Sequence, residues 1–87
     1  MVSENVTIQH EVGLHARPAA LFVQTAQKFA SKITASYNGK TVNAKSILGL
    51  LSLGALTGAE ITIQAEGEDS NDALTSLCNL VNTNFKE

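Results

Sequence analysis

A histidine and an arginine lie two positions apart, at His15 and Arg17, where a loop is predicted to become a helix. Neutral imidazole is a nucleophile, and a guanidinium group binds two phosphate oxygens at once. The start of a helix adds unpaired N–H groups and the positive end of the helix dipole, which attract anions. The pattern therefore predicts phosphate chemistry, with His15 accepting a phosphoryl group and Arg17 stabilising it.

The neighbours of this pair indicate where the helix begins. Gly13 permits a backbone turn, and Pro18 has the backbone angle of a first helical turn. Because the residue before a proline avoids the helical region, the capping residue stays open among His15, Ala16 and Arg17. The alternative interpretation is a surface or capping role for His15 and a solvated side chain for Arg17.

Other site motifs fail on spacing. His10 and His15 are five positions apart, about 140° round a helix, whereas the zinc protease motif places its histidines at i and i+4. Residues 39–41 are similar to the end of a phosphate-binding P-loop, but Thr34 stands where that motif needs glycine, and Lys40 is interpreted as an ordinary hairpin lysine. No calcium-loop spacing joins the acidic residues Glu66, Glu68, Asp69 and Asp72. We interpret them as a solvated helix start, and we expect no metal and no cofactor.

Composition limits the classes of function. The 87 residues, 44% of them hydrophobic and 16% charged, are expected to form one domain over residues 1–87. A formal net charge of -2 and only six scattered basic residues argue against nucleic acid as a partner. Cys78 is the single cysteine and is interpreted as a buried helix residue. Without a signal segment or an apolar run long enough to cross a membrane, we expect a cytoplasmic protein.

Alternating apolar and polar residues predict four strands. The first ends at residues 6–8, and the other three cover residues 33–37, 41–43 and 61–65. Asn38-Gly39 is typical of a type I′ turn, so the second and third strands are expected to be antiparallel neighbours. Strands with one apolar face predict a single antiparallel sheet, covered by helices on that face and hydrated on the other.

Three stretches have the apolar spacing of helices. The first begins at Ala19, with apolar positions Phe22, Val23, Ala26, Phe29 and Ala30. The second is a short helix from a Ser46 cap through Leu51, and glycines at 54 and 58 interrupt the helical pattern after it. The third is capped by Asp69 or Ser70, with the apolar stripe Leu74, Leu77, Cys78, Val81 and Phe85. The predicted order is β-α-β-β-α-β-α.

The second helix is too short to bury all its apolar residues on one side: Ile47, Leu48, Leu50, Leu51 and Leu53. An exposed apolar surface here predicts a docking site for other proteins, and the alternative is that most of these side chains fill the core. Ser46 likewise has two interpretations, as a helix cap and as a phosphorylation site at the helix start.

Residues 13–19, 38–40, 44–46, 52–54 and 65–69 together resemble HPr, the histidine-containing phosphocarrier family of the bacterial sugar phosphotransferase system. The resemblance covers essentially the whole chain. It implies an α+β fold, the open-faced β-sandwich, in which a four-stranded antiparallel sheet carries three helices on one face.

The resemblance also implies the roles of individual residues. His15 would take a phosphoryl group on Nδ1 from phosphorylated enzyme I and pass it to enzyme IIA domains, as a carrier and not an enzyme. Arg17 would be the active-site arginine, and Ser46 the target of an HPr kinase/phosphorylase, with a catabolite-control transcription factor as a further partner. The docking surface would comprise Leu14, Ala20, Ile47, Leu48 and Leu51. We expect a monomer.

Two alternatives to the carrier stay open. One is a regulatory protein that docks a transcription factor or an enzyme when Ser46 is phosphorylated, and the other is a structural α+β module without phosphorylation. Val12 stands where several family members carry a polar capping residue, so backbone amides and Arg17 would make more of the phosphate contacts. Gly49 with residues 52–54 is similar to the Gram-positive type, which favours regulation at Ser46.

Overall fold

The computed structural model describes residues 1–9 and 16–85. Its elements are, in chain order, β1 (Val2–Thr7), α1 (Ala16–Ala26), β2 (Lys32–Tyr37), β3 (Lys40–Asn43), α2 (Ile47–Ser52), β4 (Glu60–Glu66) and α3 (Ser70–Asn82). This is the order β-α-β-β-α-β-α that the periodicity predicts. None of the helices in the described ranges is long and apolar enough to cross a membrane.

The four strands form one antiparallel sheet in the order β1-β4-β2-β3. Asn38 and Gly39 have positive φ angles of 52° and 83°, as a type I′ turn requires, and they join β2 to β3 as predicted. The strand register places Ala35 opposite Ile63. Because side chains alternate between faces, apolar residues of neighbouring strands lie together on one face of the sheet.

The three helices cover this apolar face and leave the other face open, which confirms the open-faced β-sandwich. Phe22 of α1, Leu50 of α2 and Leu77 of α3 are fully buried. The open face carries polar side chains that bond one another: the Thr62 hydroxyl donates to Asn5 Oδ1 at 2.7 Å. The sheet is therefore packed on one side only, as the alternating pattern predicts.

The bounds of α1 differ from the prediction. The helix includes Ala16, three residues before the predicted start, and it ends at Ala26. Phe29 and Ala30 lie in the turn after the helix, where the Phe29 amide bonds the carbonyl of Ala26 at 3.2 Å. Phe29 is half-buried and Ala30 is exposed, so the predicted extension of the helix through these two residues is wrong. A tight turn after the helix continues the spacing of apolar residues without continuing the helix.

The start of α3 also differs in its contacts. Asp69 stands at the predicted capping position, but its side chain makes no bond to the helix. Its carboxylate instead accepts hydrogen bonds from the amides of Ala30 and Ser31, at 2.8 and 2.9 Å, and from the Ser31 hydroxyl. Gly67 permits this approach, because a Cβ there would lie 2.6 Å from Ser31 Oγ. The interpretation as a solvated helix start fits the exposed Glu66, Glu68 and Asp72, but it missed the hydrogen bonds of the half-buried Asp69.

Candidate functional site

Arg17 lies in the first turn of α1 with an exposed side chain, and the next residue, Pro18, is buried. Since Ala16 and Arg17 are both within the helix, neither is its capping residue. Arg17 is therefore exposed at the helix start, a position from which a guanidinium can bind an anion. The other predicted residues of this segment lie outside the described residues: His10, Val12, Gly13, Leu14 and His15.

Ser46 caps α2, as predicted. Its backbone is extended, with φ -120° and ψ 120°, and its Oγ accepts a hydrogen bond from the Gly49 amide at 3.1 Å. The Ser52 hydroxyl donates to the Gly49 carbonyl at 2.6 Å at the other end of the helix. A Cβ at Gly49 would lie 3.1 Å from the Asn43 carbonyl oxygen, so glycine lets α2 pack closely on β3. The cap thus fixes the position of the Ser46 hydroxyl.

The apolar side chains of α2 and its C-cap point in two directions. Leu50 is 0% exposed and Leu53 is 7% exposed, so these two fill the core. Ile47, Leu48 and Leu51 are 43%, 81% and 37% exposed, and we refer to these three as the apolar patch. The core interpretation is therefore right for Leu50 and Leu53, whereas the other three side chains form an exposed apolar surface.

The apolar patch lies on α2, which packs against α1, the helix that carries Arg17. Ala20, which the resemblance adds to the docking surface, is half-buried on α1. The fold therefore brings an exposed guanidinium, a capping serine and an exposed apolar surface onto two adjacent helices.

Two lysines near α2 donate to backbone carbonyls, and sequence reasoning missed both contacts. Lys40 Nζ donates to the carbonyl of Ser52, the last residue of α2, at 3.1 Å, and so is more than a hairpin lysine. Lys45 Nζ donates to the Phe29 carbonyl beyond the end of α1 at 2.7 Å. Their partners are backbone carbonyls, which every residue carries, so no side-chain pattern signals these bonds.

Cys78 is buried, as predicted, with 4% of its surface exposed. Burial raises the pKa of its thiol to about 12, and a hydrogen bond with Glu4 and the negative charge of that carboxylate act in the same direction. Cys78 is thus a neutral thiol near pH 7 and not a nucleophile. Within residues 1–9 and 16–85, no group of three or more His, Cys, Asp or Glu side chains is placed to hold a metal ion.

Comparison with known proteins places this geometry in a family. The sequence model described as "PTS HPr component phosphorylation site" matches residues 2–83. The HPr-like protein Crh of Bacillus subtilis (strain 168) is 52% identical over 77 residues, which is 88% of this chain and 91% of Crh. The HPr of Thermoanaerobacter tengcongensis has a crystal structure that is 47% identical, with a TM-score of 0.96 over 100% of this chain and 98% of that one.

A second crystal structure, of an HPr dimer from Thermoanaerobacter tengcongensis, is 47% identical to this chain with a TM-score of 0.80 and covers 100% of both chains. The sequence match, the open-faced sandwich and the order of its elements all agree with one family. The chain therefore belongs to the HPr phosphocarrier family of the phosphotransferase system.

Proposed function

We propose that this protein is a phosphoryl carrier, in which His15 accepts a phosphoryl group from phosphorylated enzyme I and passes it to enzyme IIA domains. The observation that carries the proposal is the exposed Arg17 in the first turn of α1, two residues after His15. Phosphoryl transfer depends mostly on positioning and on stabilising charge. An exposed guanidinium stabilises the phosphoryl group and still leaves it accessible to the next protein.

The apolar patch on α2 supports docking of such partners, since exposed apolar side chains on a small protein mark interaction surfaces. Transfer between proteins requires both surfaces to bind briefly and release. A patch of three side chains supplies contact without the large apolar area of a permanent complex. We propose that Leu14 and Ala20 extend this surface.

Ser46 is the proposed regulatory site. A phosphoryl group on its Oγ would place negative charge beside the amides at the start of α2, a favourable position. The proposed partners there are an HPr kinase/phosphorylase and a catabolite-control transcription factor. We further propose a cytoplasmic, monomeric single domain that needs no cofactor, and sedimentation analysis would test the monomer against the dimer known for the Thermoanaerobacter protein.

The carrier hypothesis is tested with enzyme I and phosphoenolpyruvate. We expect an acid-labile phosphoryl group on the wild-type protein and none on the His15→Ala variant. Arg17→Ala should slow transfer to an enzyme IIA domain by about 10- to 1,000-fold, since it removes a charge that stabilises the transferring group. Arg17→Lys keeps a positive charge but not the planar guanidinium group. Its transfer rate should therefore lie between those of the wild type and Arg17→Ala. Equal labelling of wild type and His15→Ala would contradict the proposal.

The identity with Crh favours a second candidate, a regulatory HPr-like protein that acts through Ser46. On this hypothesis, Ser46→Ala abolishes binding to a catabolite-control transcription factor after treatment with kinase and ATP, whereas His15→Ala does not. On the carrier hypothesis, sugar phosphorylation in a reconstituted system is lost with His15→Ala and retained with Ser46→Ala. Measuring both activities on both variants separates the two functions.

A further inference from the structure

Within residues 1–9 and 16–85, the strand β3 pairs with β2 alone, so its other edge carries no neighbouring strand. The amide of Ala44 donates to the carbonyl of Ile33 at 3.0 Å, and bonded and non-bonded pairs alternate along an antiparallel ladder. Val42 therefore bonds to β2, whereas Thr41 and Asn43 direct their backbone groups away from it. The Asn43 carbonyl accepts from the Ser46 amide at 3.1 Å. Along β3, the register thus leaves the Thr41 N–H and C=O and the Asn43 N–H directed towards solvent.

A shallow groove lies beside this edge. The half-buried Val42 supplies its apolar side chain, since Ile33 beside it is buried, and Lys32 and Lys45 also line the groove. The groove thus combines unpaired backbone groups, an apolar surface and two cationic side chains. These are the features by which a sheet edge binds an extended peptide.

Two lysines give the groove a positive charge, and one carboxylate offsets part of it. Residues 16–59 include Arg17, Lys28, Lys32, Lys40 and Lys45 and contain no Asp or Glu. Lys45 bonds a neutral carbonyl, which fixes the ammonium group without cancelling its charge. Lys32 has a carboxylate, Glu66, as its cross-strand neighbour. A ligand with several carboxylates therefore complements this edge.

We infer that the β3 edge accepts an extended, acidic segment of a partner protein as a fifth strand. Backbone bonds to Thr41 and Asn43 would hold the segment, alternate side chains would contact Val42, and carboxylates would lie near Lys32 and Lys45. A second copy of this chain fits less well, because Glu4 is the one acidic residue of its free edge strand β1 and is engaged with Cys78. This site is separate from Arg17 and the apolar patch, so it does not depend on the proposed carrier function.

A blocked peptide of alternating glutamate and valine tests the inference by amide NMR titration of the full chain. We expect shifts confined to β3 and the groove, with slower hydrogen exchange at the Thr41 amide. A peptide of alternating lysine and valine should cause none. Lys32→Gln should weaken the binding of the acidic peptide and reduce its dependence on salt.

Thr41→Pro is the decisive variant. It removes an outward N–H without removing a ladder bond, a change that edge strands tolerate, and should weaken binding by about tenfold. Thr41→Val is its matched control, because it also loses the hydroxyl bonded to Ser36 at 2.8 Å but keeps the N–H. If Thr41→Pro does not fold, hydrogen exchange of the Thr41 amide is compared in the wild-type protein with and without peptide. Slower exchange with the peptide is expected, and an unchanged rate would contradict the inference.

Three results would overturn the inference. One is equal binding of the acidic and basic peptides, and another is equal binding by Thr41→Pro and Thr41→Val. The third is a set of β3 shifts that grow with the concentration of the protein alone, because a second copy would then occupy the edge.

Discussion

Asp69 stabilises the fold by joining two loops that are distant in sequence. Its carboxylate binds the Ser31 amide across a separation of 38 residues, between the turn after α1 and the start of α3. The Ser31 hydroxyl, followed by the amide of Ala30, holds the pKa of Asp69 below the ordinary value of 3.8. The folded protein therefore favours the charged form of the Asp69 carboxyl group.

This linkage predicts a pH dependence of stability. Because the pKa of Asp69 is lower in the folded than in the unfolded chain, its stabilising effect is complete above the unfolded value of 3.8 and is lost as pH falls through the folded value. We expect Asp69→Asn to lower the free energy of unfolding at neutral pH and to approach wild type in strong acid. Urea unfolding across this range measures the difference.

Asp72→Asn is the matched control for this experiment. It removes the same charge from the start of α3, where Asp72 is exposed. Its effect at neutral pH should be smaller than that of Asp69→Asn. An Asp69→Asn difference that stays constant from neutral to acid pH would contradict the proposed role of the carboxylate.

At the scale of elements, α2 has a buried apolar side and an exposed apolar side. Leu50 is 0% exposed and Leu48 is 81% exposed, two positions apart on six residues of helix. The buried side fixes the helix against the core, and the opposite side presents the apolar patch. Stability and partner binding are therefore expected to respond to different residues.

A pair of identical substitutions tests this division. Leu50→Ala should cost about 2–5 kcal/mol of unfolding free energy, because it leaves a cavity in the core. Leu48→Ala should change stability by no more than about 0.5 kcal/mol and should slow phosphoryl transfer from enzyme I by removing an exposed contact. Urea unfolding and transfer kinetics on both variants give the comparison. Unchanged transfer by Leu48→Ala would place docking elsewhere.

Local signals in the sequence predicted some elements well. The Ser46 cap and the Asn38-Gly39 turn each depend on neighbouring residues, and both are present. The end of α1 was predicted wrongly and the bonds of Asp69 were missed, because both depend on contacts across the fold, such as that with Ser31. Which side of α2 is buried depends likewise on its packing on α1 and β3.

At the scale of the whole molecule, charges are separated across the sheet. The basic residues are scattered along the sequence, but five of them fall in residues 16–59, which form α1, β2, β3 and α2 and contain no acidic residue. Residues 1–9 and 60–85 contain Glu4, Glu60, Glu66, Glu68, Asp69 and Asp72 and no Lys or Arg. Because β1 and β4 are neighbours, as are β2 and β3, the strand order turns this separation in sequence into a separation in space. The apolar patch and Arg17 belong to the positive part.

This separation predicts that partners are steered electrostatically towards the positive part. The second-order rate constant of phosphoryl transfer from enzyme I should fall as NaCl is raised, because salt screens charges beyond about 10 Å. Lys40→Gln removes a charge beside α2 and should lower the rate at low salt by about two- to tenfold, with a weaker salt dependence. Glu60→Gln removes a charge from the negative part and should not lower it. Stopped-flow transfer at low and high salt distinguishes these outcomes, and equal slowing by both variants would exclude steering by the separated charges.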